Sequence, residues 1–159
     1  MSVSSSRDAR CSATATRLAV TNSRHAGYWV VGSADVVLQD CSANSCGGHG
    51  VHCEGPGSKV HAEGCTFQSN GGYGVLAEGE AEVTVKGCHS SQHCRAAGYR
   101  AAAASGYRAA NIGARMEVSD SVSEGDRQGC SVDAVGQLTT EKFTLDGTLY
   151  SARSVWKFQ

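Results

Sequence analysis

"SCGGHGVHCEGPG", residues 45–57, and "SNGGYGVLAEGEA", residues 69–81, share one grammar. In each, a Ser and a corner residue precede two glycines, a variable residue and a third glycine. A five-residue segment ending in Glu-Gly follows. The second copy lacks both Cys and both His of the first. What recurs is therefore architecture, and self-similarity at a fixed period marks a repeat fold.

The grammar extends along the chain through two landmarks. A small residue closes an alternating segment in "RLAVTNS" (Ser23), "VVLQDC" (Cys41), "KVHAEGC" (Cys65), "EVTVKGC" (Cys88) and "RMEVSDS" (Ser121). A glycine opens the next segment at Gly27, Gly50, Gly74, Gly98 and Gly129, with steps of 23, 24, 24 and 31 residues. The long step coincides with a local duplication, "GYRAAAAS" at 98–105 followed by "GYRAANIG" at 106–113.

Within each unit the apolar residues alternate: Leu18 and Val20, Val36 and Leu38, Val60 and Ala62, Val83 and Val85, Met116 and Val118 ahead of the small residue. After the glycine come Tyr28 and Val30, Val51 and Cys53, Val75 and Ala77, Tyr99 and Ala101, Cys130 and Val132. A period of two means strands with one buried face. Short strands in units of about 23 residues describe the coils of a single-stranded parallel β-helix, an all-β solenoid with rungs about 4.8 Å apart. About six coils are expected, starting near 17, 35, 59, 82, 115 and 137, with a longer turn at about 99–113. Residues 1–16 read as an N-terminal segment or cap, 17–150 as the repeats and 151–159 as a C-terminal cap or tail. Solenoid ends expose strand edges that need covering.

Across roughly residues 17–150 the repeat resembles the right-handed β-helices of pectate-lyase-like sugar enzymes and of F-box proteins carrying a C-terminal β-helix. That resemblance implies a right-handed coil and no particular activity. Polygalacturonases on this fold carry a catalytic-site His in Gly-His-Gly, but His49 here stands at a slot taken elsewhere by Ala26, Tyr73, Ala97 and Gln128. Their paired Asp residues and Arg-x-Lys have no counterpart, and Asp40 stands alone before Cys41. No catalytic residue is assigned, and no enzyme activity is expected.

Composition narrows the partners. Fourteen Lys and Arg against 15 Asp and Glu leave a net charge of -1, so the basic field that gathers nucleic acid or anionic lipid is missing. No apolar run reaches the length of a membrane span, and no secretory signal is visible. The start, "MSVSSSRDARCSATATR", has the Ser, Ala and Arg content of an organellar transit peptide. Without a signal segment, the eight Cys are expected to be thiols in an intracellular, cytoplasmic or organellar, compartment.

Stacking assigns Cys41, Cys65 and Cys88 to an inward structural ladder flanked by Ser23 and Ser121, and Cys46, Asn70 and Cys94 to a second corner. Cys46, His49, His52 and Cys53 are the metal-ligand candidates, but alternation turns His52 outward and Cys53 inward, so one tetrahedral ion cannot easily collect both and no metal or other cofactor is assigned. Glu54, Glu78 and Asp133 share a slot four residues after the glycine.

The outward position two after the glycine gives a stripe, Trp29, His52, Leu76 and Arg100, with the composition of a binding surface. The expected function is a non-catalytic scaffold that contacts other proteins through its faces or ends. The alternative is a carbohydrate-binding or degraded sugar-enzyme module, with Tyr28 and Trp29 as stacking platforms.

Overall fold

A computed structural model of the chain describes residues 2–4, 10–93, 105–110, 114–125, 128–132, 137–150 and 154–157. The chain winds through three sheets in turn. The first contains β1 (Ser2–Ser4), β4 (Tyr28–Val31), β7 (Val51–Glu54), β10 (Val75–Glu78), β13 (Ser105–Ala110) and β16 (Gln128–Val132). The second contains β2 (Ser12–Thr16), β5 (Asp35–Gln39), β8 (Lys59–Glu63), β11 (Glu82–Lys86), β14 (Arg115–Ser119), β17 (Gln137–Glu141) and β20 (Ser154–Lys157). The third contains β3 (Ala19–Thr21), β6 (Ser42–Asn44), β9 (Thr66–Gln68), β12 (His89–Ser91), β15 (Val122–Glu124), β18 (Phe143–Leu145) and β19 (Thr148–Tyr150).

All strands pair in parallel with their counterparts one coil on, except β19 and β20, which pair antiparallel with β18 and β17. The result is an all-β parallel solenoid. About four coils fall within the uninterrupted stretch 10–93.

The inward rows of the three sheets meet in one core that includes Tyr28, Leu38, Val51, Phe67, Val75 and Met116. The corner between the second and third sheets is a left-handed residue, with positive φ at Arg17, Asp40, Gly64, Gly87, Asp120 and Lys142. Gly and Asp tolerate that conformation better than most residues, which explains "QDC", "EGC", "KGC" and "SDS" ahead of each small residue. The glycines opening β4 and β7, Gly27 and Gly50, have a different cause. A Cβ on Gly50 would stand 2.5 Å from the Gly74 carbonyl oxygen and 2.9 Å from Phe67, so any side chain would push adjacent rungs apart.

Two register expectations need correction. The first rung of the second sheet is β2, beginning at Ser12 instead of 17: Ala13 and Ala15 stand opposite Val36 and Leu38. Leu18 is therefore outside that row and 39% exposed, and Val20 belongs to the third sheet opposite Ala43. Ser23 leaves the Cys41 ladder and hydrogen-bonds one coil on, its carbonyl accepting from the Gly47 amide. The Ala/Thr strand carries too little apolar bulk to compete with "RLAV" as a pattern.

The second correction concerns the duplication. Val75 stands opposite Tyr107, so the strand is drawn from the second copy and opens at Gly106, a landmark that restores a step of 23 to Gly129. The extra residues precede that strand. Gly98 and Arg100 lie outside the described residues, and Arg108 holds the register assigned to Arg100.

β1 continues the first sheet by pairing with β4, and β20 lays an antiparallel strand along the second sheet's last rung, with Trp156 opposite Leu138. Phe158 lies outside the described residues.

Candidate functional site

The Cys ladder is internal structure. Cys41, Cys65 and Cys88 are buried at successive corners, and Ser121 continues the row. Each thiol donates to the carbonyl two residues back, Gln39, Glu63 or Lys86, or to one on the preceding coil, Ala15, Leu38 or Ala62, at 3.3–3.5 Å. The Cys65 amide donates to Cys88 Sγ at 3.3 Å, and the Cys88 amide to Ser121 Oγ at 3.1 Å. Hydrogen bonding with Cys65, together with burial, pushes the Cys88 thiol up, which removes it as a nucleophile.

The second corner is a polar ladder. Asn70, fully buried, accepts the Cys46 amide through Oδ1 at 2.9 Å and donates through Nδ2 to the Ala43 carbonyl at 2.9 Å. Its own amide donates to His93 Nδ1 at 3.2 Å. His93 therefore carries its proton on Nε2, where Ser90 Oγ lies at 2.8 Å. His93 fills the slot expected for Cys94, which lies outside the described residues.

The metal candidates separate. Cys46 faces the second corner, Cys53 lies in the core, and His49 stands on the outer surface stacked on Tyr73, with ring centroids 5.4 Å apart. Burial pushes the Cys53 thiol up to about 12. Among the described residues, no group of three or more His, Cys, Asp or Glu is placed to hold a metal ion. Tyr28 is likewise no platform: it is buried, and its hydroxyl donates to the carbonyls of Leu18 at 2.6 Å and Ser42 at 3.1 Å.

The outward face of the first sheet brings the remaining chemistry together. Register places Trp29, His52 and Leu76 in one row and Val31, Glu54 and Glu78 in the next. The Trp29 indole is 40% exposed and lies parallel to the His52 imidazole, with ring centroids 5.9 Å apart and 3° between planes. His52 Nε2 lies 2.9 Å from Glu78 Oε2 and 4.0 Å from Glu54 Oε2. A carboxylate only accepts, so the Nε2–H donates to Glu78. His49 meets His52 edge-on at 5.3 Å.

Leu76 departs from its expected exposure. It points outward but is only 3% exposed, in a small cluster with Tyr73 outside the main core. The exposed part of the stripe is thus Trp29 with His52 beside it. In the sequence, Glu54 and Glu78 only share a slot four residues after the glycine. That slot was visible, but the hydrogen bond to a His two residues off the row was not.

A family model described as a right handed beta helix region matches residues 3–148. No curated protein and no solved structure matches.

Proposed function

The chain belongs to the right-handed β-helix family, and on that premise we propose that it is a non-catalytic interaction module presenting the outward face of its first sheet to other proteins. Fold does not settle activity, so the reading rests on the site. The observation that carries it is the Trp29 indole, exposed yet aligned on an imidazole that Glu78 holds by a 2.9 Å hydrogen bond. A large aromatic fixed on a rigid sheet loses little freedom on binding, and Trp is among the residues that most often anchor interfaces.

Support for the non-catalytic part comes from the outward carboxylates. Glu82 pairs with Lys59 at 2.7 Å and Glu63 with Lys86 at 3.4 Å across neighbouring rungs, as exposed sheet pairs do. Cys11, Cys41, Cys46, Cys53, Cys65 and Cys88 are free thiols, as a reducing, intracellular setting would keep them. Among the described residues, no helix is long and apolar enough to cross a membrane.

The test compares the tagged chain with Trp29→Ala by quantitative mass spectrometry of co-purifying proteins. The variant should keep its thermal midpoint and lose its specific partners by at least about tenfold, the change expected from removing an interface anchor. Undiminished recovery would overturn the reading. Hydrogen-bonding carboxylates beside an aromatic face also suit a sugar ring, and that second reading requires glycan-array binding that Trp29→Ala abolishes.

A further inference from the structure

We infer that the surface around Trp29 recognises a guanidinium group, carried by an arginine in a segment of the partner protein. The inference rests on the reading of this face as a protein-binding surface and names the chemistry it selects.

The two outer faces differ in how their charge is balanced. On the second sheet, Glu82 and Glu63 each have a lysine within 4.0 Å on a neighbouring rung. On the first sheet, Glu54 and Glu78 are register neighbours one rung apart, with side chains 49% and 29% exposed. Their row continues to Val31 on one side and Ala110 on the other, neither of them charged. What they share is His52. Its Nε2–H is spent on Glu78, and Glu54 at 4.0 Å is beyond hydrogen-bonding reach. Two like charges on adjacent rungs repel unless a cation joins them.

The neighbours select the kind of cation. His52 is faced by Trp29 and His49 as rings, by Glu54 and Glu78 as carboxylates, and by Leu76 on the next rung. The nearest arginine in the register is Arg108, one rung from Glu78 and diagonal to it as His52 is, so Glu54, diagonal to Trp29 in the same sense, is the carboxylate with no basic neighbour but His52 in the described register. An exposed indole beside two carboxylates fits a planar, weakly hydrated cation that can stack on the ring while its N–H groups reach an oxygen pair. That describes guanidinium better than the compact, strongly hydrated ammonium of lysine. A sugar would use the indole but would draw no advantage from the negative charge of Glu54, which has no Lys or Arg partner among the described residues.

The test is calorimetric titration of the full chain with blocked hexa-arginine, hexa-lysine and hexa-glutamine peptides at about physiological salt, which screens distant charges. Hexa-arginine should bind at least about tenfold more tightly than hexa-lysine, and hexa-glutamine should not bind. Trp29→Ala and the double variant Glu54→Gln/Glu78→Gln should each weaken hexa-arginine by about tenfold or more. The charge-matched double variant Glu63→Gln/Glu82→Gln on the second sheet should change it by less than about twofold. Equal affinity for the lysine peptide, or equal weakening by the second-sheet variant, would overturn the inference by showing diffuse attraction only. If hexa-arginine fails while Trp29→Ala still depletes co-purifying proteins, the guanidinium assignment falls and the interaction module stands. If Trp29→Ala depletes nothing, the interaction module itself falls.

Discussion

Replacing Asn70 by Ala should be among the most damaging single changes in the solenoid. The side chain is fully buried and closes two hydrogen bonds of 2.9 Å, accepting from the Cys46 amide on one rung and donating to the Ala43 carbonyl. Truncation takes away both partners in a site that a side chain of Ala size cannot refill. An orphaned buried polar group costs about 1–3 kcal/mol, so the pair should cost about 2–6 kcal/mol. Against a total stability of about 5–15 kcal/mol, that is a large fraction. Urea unfolding followed by circular dichroism measures it, with Gln68→Ala as an exposed control expected within about 0.5 kcal/mol of the parent. A loss under about 1 kcal/mol for Asn70→Ala would mean that the corner is hydrated or that the rungs do not depend on it.

Two further outcomes follow from the backbone and the core. Gly87→Asn should cost less than about 1 kcal/mol, because φ is 59°, nothing lies within 4 Å of where its Cβ would stand, and Asn tolerates this region; Gly50→Ala should cost at least about 2 kcal/mol from overpacking, and the reverse order in thermal unfolding would invalidate the rung spacing. Stability should also fall as pH rises above the ordinary thiol value of 9.0, because Cys53 is held at about 12 in the folded chain and burial raises Tyr28 as well. Both groups are neutral when folded and ionise on unfolding, so their contribution is complete below the unfolded values and is lost on the alkaline side, by up to about 1.4 kcal/mol per pH unit per group. A urea midpoint that stays flat between about pH 8 and pH 10.5 would contradict this.

The fold was legible because its signals repeat. A wrong assignment in one coil could be checked against four others, and the glycine and small-residue landmarks have steric causes that any sequence on this backbone must meet. The errors came where repetition gave two answers. "RLAVTNS" alternates as convincingly as the true first rung, whose Ala13 and Ala15 are too small to announce a core. The doubled "GYRA" offers two equivalent strands, and only pairing with Val75 chooses Tyr107.

The site was half legible. Alternation placed Trp29 and His52 outward, but burial of Leu76 depends on packing with Tyr73 in a turn, which no periodicity encodes. The role of Glu78 depends on a side chain reaching diagonally across one rung, a contact set by rotamer and strand spacing.

Hydroxyl-radical footprinting of the chain, alone and within its purified native assembly, tests the binding face most directly. Trp29 should oxidise readily in the free chain, where it is 40% exposed, and be protected in the assembly, while Leu149 and Tyr150 at the far end, 62% and 51% exposed, keep their free-chain reactivity. Protection confined to Leu149 and Tyr150, with Trp29 oxidised equally in both states, would contradict the account and place the contact at the end of the solenoid.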